Sequence, residues 1–247
     1  MSAPAAAPRR ARIAVLTSGG GSNLQALLDH FRGPGSSTGE IVWVGSDRRD
    51  AIALQRAAQA EVATGVVEVP TEGEALLAQF AEVGADLLVL AGYLKLIPAA
   101  VVHAFHGRLL NVHPALLPAF GGPGMYGQRI HTAVLEYGAT ITGVTVHFVD
   151  EHYDRGPIIA QWPVPVLPGD TPAALAARVL RVEHRLFPLC VAAVASGAIV
   201  LGDDARVHGH LDIPVGLAVP AWRFGLVSDA DTDAAAFPTD LARLFPR

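Results

Sequence analysis

The sequence of 247 residues is poor in cysteine: Cys190 is the only one, and a single cysteine cannot form a disulfide within its own chain. An excess of basic residues is also missing, because 18 lysines and arginines face 23 acidic residues, and a net charge of −5 does not create the positive field that nucleic-acid binding requires. No uninterrupted apolar run approaches the roughly 18 residues of a membrane span. We therefore expect a cytoplasmic protein that binds neither nucleic acid nor membranes.

The two ends of the sequence differ from the middle. The opening MSAPAAAPRRAR has no apolar centre of the kind found in signal peptides, and we expect residues 1–11 to form a flexible N-terminal arm. Residues 212–247 show no clear period and are assigned to a C-terminal extension of unknown role. Because 51% of the whole chain is hydrophobic and 17% is charged, residues 12–211 are expected to fold as one domain.

The middle of the chain alternates short apolar runs with stretches of helical periodicity. Strands are predicted at 13–16, 41–44, 66–69, 87–91, 109–112, 144–149 and near 158–166. Helices are predicted at about 22–31, 50–61, 73–83, 98–106, 127–137 and 172–196, and a hairpin at 198–210. This alternation predicts an α/β fold, a Rossmann-like and mostly parallel sheet with helices on both faces.

A glycine-rich loop follows the first predicted strand, in the stretch LTSGGGSNLQALLDHF (16–31). The leucines of this stretch and Phe31 recur at helical spacing, so we expect a helix to begin near Ser22. Backbone N–H groups that converge at a helix N-terminus bind anions, and Ser22 and Asn23 add side-chain donors. The loop therefore predicts a phosphate site, with a plain tight turn as the alternative. It is not a Walker A loop, because no Gly-Lys-Ser/Thr follows.

The stretch RLLNVHPALLPAFGG (108–122) changes from a buried strand to polar and loop-forming residues within four positions. Residues two apart in a strand point to the same side, so Asn111 and His113 are expected to project together. An amide donor beside an imidazolium can stabilise the oxyanion of a tetrahedral intermediate, whereas a neutral imidazole can act as a base. The alternative is that both side chains only cap the end of the strand.

A second candidate loop, EHYDRGP (151–157), follows the strand predicted at 144–149. From this loop Asp154 could reach His113, raise its pKa and fix its orientation. No G-x-S-x-G motif is present, and the only cysteine lies in a helical pattern, so a covalent acyl-enzyme has no obvious nucleophile. Direct transfer between two substrates is therefore the simpler hypothesis.

With these residues the chain resembles the folate-dependent formyltransferases, and among them the phosphoribosylglycinamide formyltransferases of purine synthesis. The resemblance extends from about residue 12 to 201. It rests on SGGGSNLQAL (18–27), LAGYLKLIP (90–98), GRLLNVHPALLPAF (107–120), TGVTVHFVDEHYDRGPIIAQ (142–161) and RVEHRLFP (181–188).

The resemblance implies a role for each motif. Asn111 and His113 would stabilise the oxyanion, and Asp154 would pair with His113 and assist proton transfer. Gly21, Ser22 and Asn23 would hold the ribose phosphate. The co-substrate, 10-formyltetrahydrofolate, would lie along Leu90, Tyr93, Leu94, Lys95, Ile97, Leu109, Val149 and Asp150. No metal is implied, the partners are these small molecules, and the protein is expected to be a monomer or a homodimer.

Two further residues complete the expected site. Glu183 falls inside the apolar stripe of the predicted helix 172–196, and a buried carboxylate is costly unless something pairs with it. The resemblance makes the substrate amine its partner, and an arginine elsewhere in the fold is the alternative. His147 corresponds to a histidine close to the catalytic group in the family, and we place it on the last parallel strand in a supporting role, with a chemical role as the alternative.

Three rival functions use part of the same pattern. Methionyl-tRNA formyltransferases share the Asn-x-His and Asp set but show a different continuation after LLP, where this sequence has AFGGPGMYG (119–127). Formyltetrahydrofolate deformylases have a regulatory domain before the glycine loop. A non-catalytic nucleotide-binding module would keep the glycine loop but would give no reason for the candidate catalytic residues to converge.

Overall fold

The structure, a computed structural model, describes residues 9–68 and 72–211. Its strands are β1 (Ala11–Thr17), β2 (Gly39–Ser46), β3 (Ala63–Val66), β4 (Leu87–Leu90), β5 (Leu109–His113), β6 (Ile141–Phe148), β7 (Ile158–Pro165), β8 (Ile199–Leu201) and β9 (Val207–Gly209). Its helices are α1 (Ser22–Arg32), α2 (Ile52–Gln59), α3 (Gly73–Glu82), α4 (Ala99–Ala104), α5 (Gln128–Tyr137) and α6 (Pro172–Ala195).

Seven strands form one sheet in the order β3-β2-β1-β4-β5-β6-β7, and β8 and β9 form a separate hairpin. Strands β1 to β5 pair in parallel, whereas β6 is antiparallel to β5 and to β7. Buried residues form one apolar cluster that includes α1, α5 and α6 and a second one that includes α3 and α4. The predicted α/β fold, mostly parallel and covered on both faces, is confirmed.

The prediction that His147 lies on the last parallel strand is wrong, because β6 runs antiparallel. The segment 114–127 lies between β5 and α5, and it is long enough for the chain to begin β6 beside the end of β5. In the resulting register Asn111 is opposite His147, and His113 is opposite Thr145. The reversal therefore brings a histidine from β6 directly beside the candidate catalytic strand.

Strand β3 is shifted relative to its prediction. It spans Ala63–Val66, whereas the apolar run suggested 66–69, of which residue 69 lies outside the described residues. As the edge strand of the sheet, β3 leaves its residues half-buried or exposed. An edge strand needs fewer apolar residues than a central one, so the continuous apolar run predicts the strand a few residues too late.

Helix α6 is the longest helix among the described residues, and its start was predicted from sequence. The Thr171 side chain accepts a hydrogen bond from the backbone N–H of Ala174 at 3.2 Å, and Pro172 occupies the first turn. Cys190 is fully buried in this helix, and burial raises the pKa of its thiol. None of the described helices has the length and apolar character needed to cross a membrane.

The predicted N-terminal arm overlaps the fold at its end. Strand β1 begins at Ala11, and Arg9 and Arg10 form ion pairs with Asp86 and Glu40 at 2.7 and 2.8 Å. The rest of the arm, residues 1–8, and the predicted C-terminal extension, residues 212–247, lie outside the described residues.

Candidate functional site

A cavity of about 670 Å³ lies beyond the carboxyl ends of β4 and β5, at the position where ligands bind in open α/β sheets. Its walls come from residues of β4, β5 and β6, from the loops after these strands, and from the helices α1, α5 and α6. The predicted residues that line it are Asn23, Leu90, Tyr93, Leu94, Lys95, Ile97, Asn111, His113, His147, Val149, Asp150, Asp154 and Glu183.

Three predicted residues do not line this cavity. The side chain of Leu109 is 1% exposed and packs in the core, where its carbonyl oxygen accepts a hydrogen bond from the N–H of Val149 at 2.9 Å. Gly21 and Ser22 directly precede Asn23 at the start of α1. Leu109 can therefore act on a bound folate only through Val149, not by side-chain contact.

Asn111, His113 and Asp154 come together at the end of β5. The Nδ1 atom of His113 lies 3.5 Å from Oδ1 of Asp154, and the two side chains are 4% and 10% exposed. The Nε2–H of His113 donates to the carbonyl oxygen of Phe120 at 2.9 Å. Asp154 is fixed from its other side, because its Oδ2 accepts from the N–H of Gly122 at 2.8 Å. The imidazole is thus oriented by an acid on one nitrogen and by a carbonyl on the other.

The backbone around this pair is unusual. Phe120 and Asp154 have φ values of 56° and 57°, in the left-handed region that costs energy for residues other than glycine. The loop of Asp154 also approaches β6 closely, since a Cβ on Gly156 would collide with the carbonyl oxygen of Phe148. Two residues that contact His113 are therefore held in strained conformations, as is common at functional sites.

His147 fixes the orientation of the Asn111 amide. A carbonyl oxygen can only accept, so the 2.7 Å contact to the carbonyl of Phe148 requires a proton on Nδ1 of His147. Burial lowers the pKa of His147, which favours the neutral ring. Its Nε2 is then an acceptor, and it receives a hydrogen bond from Nδ2 of Asn111 at 3.1 Å. The remaining amide hydrogen of Asn111 has no partner among the described residues.

No side chain among the described residues caps the N-terminus of helix α1. Gly21 precedes it with φ of 71°, no side chain accepts from its first turn, and no acidic residue lies there. A Cβ on Gly21 would lie 2.7 Å from Cβ of Ala53, so glycine is required both for conformation and for space. The uncapped N–H groups leave this helix end available to an anion.

Glu183 is 7% exposed on α6 and meets the start of α1. Its Oε2 accepts a hydrogen bond from Nδ2 of Asn23 at 2.5 Å, across 160 residues of sequence. Burial raises the pKa of Glu183, and the hydrogen bond from Asn23 opposes this shift. No cation among the described residues pairs with the carboxylate, so the arginine that sequence offered as an alternative partner is not observed there.

His131 is a cavity residue that the sequence reasoning missed. It is 4% exposed on α5, its Nδ1 is buried without a hydrogen-bond partner among the described residues, and burial together with nearby His113 lowers its pKa. His131 and Val134 are three residues apart, a spacing typical of core residues on a helix, so the sequence does not distinguish His131 from a core residue. Tyr126 and Gln128 also line the cavity, whereas the guanidinium of Arg129 stacks over the Tyr126 ring at 4.9 Å.

Within residues 9–68 and 72–211, no group of three histidine, cysteine, aspartate or glutamate side chains could hold a metal ion. Two histidine pairs that are close in the sequence, His103 with His106 and His208 with His210, are therefore not assigned to a metal. One member of each pair contacts a single acid: Nε2 of His103 lies 2.6 Å from Oε1 of Glu151, and Nε2 of His208 lies 2.9 Å from Oδ1 of Asp204.

Comparison with known proteins gives consistent matches. The profile of the formyl transferase family matches residues 11–191. A chloroplastic phosphoribosylglycinamide formyltransferase from Arabidopsis thaliana is 43% identical over 80% of this chain and 70% of its own length. The phosphoribosylglycinamide formyltransferase of Mycobacterium tuberculosis is 41% identical over 85% of this chain and 96% of its own length.

Solved structures agree with these matches. The crystal structure of glycinamide ribonucleotide transformylase 1 from Symbiobacterium toebii has 42% identity and a TM-score of 0.75, and covers 82% of this chain and 95% of the other. Some relatives are trifunctional purine biosynthetic proteins that are much longer. This chain spans 15% to 20% of their length.

Proposed function

The chain belongs to the formyl transferase family, and from that premise we propose that it transfers the formyl group of 10-formyltetrahydrofolate to the amine of 5'-phosphoribosylglycinamide. The observation that carries the proposal is the convergence of Asn111, His113 and Asp154 in one cavity whose far wall contains Asn23 and Glu183. Relatives that match over most of their own length carry this activity in their names.

The two substrates divide the cavity between them. In our proposal the folate lies along the loop after β4 and the loop after β6, where Tyr93, Lys95 and Asp150 line the wall. The phosphate of phosphoribosylglycinamide binds the N-terminus of α1, because free N–H groups and the helix dipole favour an anion there. Glu183 accepts a hydrogen bond from the same substrate through the carboxylate oxygen that Asn23 leaves free. This arrangement directs the glycinamide amine toward β5.

The proposed reaction is a direct transfer. The amine nitrogen attacks the formyl carbon, and the carbonyl electron pair moves to oxygen to form a tetrahedral oxyanion. The free amide hydrogen of Asn111 donates to this oxyanion. Both ring nitrogens of His113 face protein acceptors, so the imidazolium contributes its positive charge rather than a hydrogen bond.

Proton transfer completes the reaction. Asp154, acting through water, removes a proton from the attacking nitrogen after the new C–N bond forms. When the intermediate collapses, the bond between the formyl carbon and N10 of the folate breaks, and N10 takes up the proton that Asp154 and the water removed from the amine. His147 does not contact the reacting atoms in this scheme but holds the Asn111 amide with its N–H toward the cavity.

An acceptor comparison tests the function. Absorbance of 10-formyltetrahydrofolate is followed with phosphoribosylglycinamide, with charged initiator methionyl-tRNA, and without an acceptor. We expect consumption only with phosphoribosylglycinamide, in a protein that acts as a cytoplasmic monomer or homodimer without a metal. Consumption only with the tRNA would reassign the protein to the methionyl-tRNA formyltransferases, and consumption without acceptor would make it a deformylase.

A further inference from the structure

The glycine loop, residues 19–21, has an asymmetric pattern of hydrogen bonds. All three carbonyl oxygens have donors: Gly19 accepts from the N–H of Ala53 at 3.1 Å, Gly20 from Nε of Arg56 at 2.8 Å, and Gly21 from the N–H of Gln25 at 2.9 Å. None of the three glycine N–H groups donates to another described residue. The loop thus presents donors that the described part of the protein does not use.

The direction of the carbonyl groups decides where the N–H groups point. In a trans peptide the C=O and the N–H both lie in the peptide plane and point in opposite directions. Holding the Gly20 carbonyl toward α2 therefore turns the N–H of Gly21 away from α2. If this peptide flipped, a carbonyl oxygen would face the anion and repel it.

Packing alone does not fix this loop. A Cβ added at Gly19 or Gly20 would meet nothing within 4 Å, so no side-chain contact restricts these residues, and glycine itself allows both orientations of the peptide. Only Gly21 is tightly enclosed. The hydrogen bonds that Ala53 and Arg56 of α2 donate to the loop are therefore the main restraint on its first part.

Arg56 is the charged one of these two hydrogen-bond donors. It lies half-buried on α2, and besides the Gly20 carbonyl it binds Oε1 of Gln25 at 3.2 Å, so it bridges the loop and α1. Both of its acceptors are neutral oxygens, and no described carboxylate forms an ion pair with it. In contrast, Arg48 is paired with Asp50 at 3.1 Å. The positive charge of Arg56 is left uncompensated beside the loop.

We propose that Arg56 is a positioning residue for the phosphate of the acceptor substrate. It holds the Gly20–Gly21 peptide with its N–H toward the phosphate, and its uncompensated charge favours an anion at the same place. This inference rests on the proposed function, because it takes the substrate to be phosphorylated. It predicts that Arg56 discriminates between phosphorylated and dephosphorylated acceptors without contacting the reacting atoms.

The test compares Arg56→Met and Arg56→Lys with wild type and with Arg48→Met as the matched control. Each protein is assayed with phosphoribosylglycinamide and with its dephosphorylated nucleoside, and each is titrated calorimetrically with ribose 5-phosphate and with ribose. For Arg56→Met we expect a KM for phosphoribosylglycinamide raised about 10- to 50-fold, with kcat changed less than about threefold. Lysine should restore part of the loss, because it keeps the charge but not the planar pair of donors.

The outcomes separate the two ideas. A preference for the phosphorylated acceptor that falls at least about tenfold in Arg56→Met, but not in Arg48→Met, supports the inference. Equal losses with both acceptors, or ribose 5-phosphate binding as tight as in wild type, overturn it. If wild type transfers no formyl group, the proposed function fails, and the ribose 5-phosphate titration still decides the role of Arg56. If Arg56→Met does not fold, the same readouts on Arg56→Lys decide.

Discussion

Glu183→Gln should stabilise the protein and weaken substrate binding at the same time. The carboxylate is 7% exposed, its one protein partner among the described residues is the neutral amide of Asn23, and burial raises its pKa. Glutamine has nearly the same shape and can still accept from Asn23. Its NH₂ group takes the place of the oxygen that lines the cavity, where it can meet water. The substitution therefore removes a buried charge without creating a void.

The size of the effect follows from the cost of an incompletely compensated buried group. That cost is about 1–3 kcal/mol, and the short bond from Asn23 offsets part of it, which leaves about 1–2 kcal/mol. In a protein of this size the change raises Tm by about 2–8 °C. The substrate loses a hydrogen bond to a charged acceptor, so KM for phosphoribosylglycinamide should rise about tenfold or more.

The sign of the pH dependence follows from the raised pKa. Below the ordinary value of 4.5 the carboxyl is protonated in the folded and in the unfolded chain, and it adds no cost. As the pH rises, the unfolded chain ionises first, so wild type loses stability until the pKa of folded Glu183 is passed. The advantage of Glu183→Gln should therefore be absent below about pH 4.5 and grow as the pH rises above that value.

Thermal unfolding of both proteins between pH 4 and pH 8 checks this prediction, together with steady-state kinetics at pH 7.5. Glu82→Gln is the control, because Glu82 is exposed and its replacement should change the unfolding free energy by less than about 0.5 kcal/mol. A variant that is less stable than wild type at pH 8, or a difference independent of pH, would refute the reasoning about the buried charge.

Three other outcomes are expected. Asn111→Ala and His113→Ala should each lower kcat about 100- to 1,000-fold in steady-state assays with unchanged circular dichroism, and full activity in either would end its role in oxyanion stabilisation. His147→Leu should lower kcat about 10- to 100-fold with little change in either KM, because Asn111 loses its acceptor, and glutamine should restore part of the rate. Gly21→Ala should lower the unfolding free energy, measured in urea, by about 2–4 kcal/mol, against about 1 kcal/mol for Gly138→Ala, which has a similar φ but free space. Equal costs at both glycines would contradict the clash with α2.

Much of the fold could be predicted because hydrophobic patterning is local. Continuous apolar strands and amphipathic helices determine the layers, and the start of α6 is visible in the sequence as Thr171 and Pro172. The direction of β6 could not be read in the same way. A helix between two strands usually implies a parallel crossover. No sequence pattern shows that the long segment 114–127 lets β6 start beside the carboxyl end of β5 and run antiparallel to it.

The candidate site shows the same division between local and long-range information. The spacing of Asn111 and His113 predicts that they share one side of a strand, and the loop position of Asp154 predicts that it reaches His113. The structure brings these predicted residues together. The pairing of Asn23 with Glu183 depends on how α1 and α6 pack, and no local pattern encodes it. Arg56 looks like any arginine on an exposed helix until the carbonyl it binds is known.

The bond between Asn23 and Glu183 also bears on when the protein becomes competent during synthesis. A nascent chain that ends before residue 183 already contains every strand of the large sheet, since β7 ends at Pro165, but it lacks Glu183 and the second half of α6. Substrates stabilise the folded protein by binding to it, so they cannot stabilise the growing polypeptide until Glu183 and the rest of α6 have been synthesised.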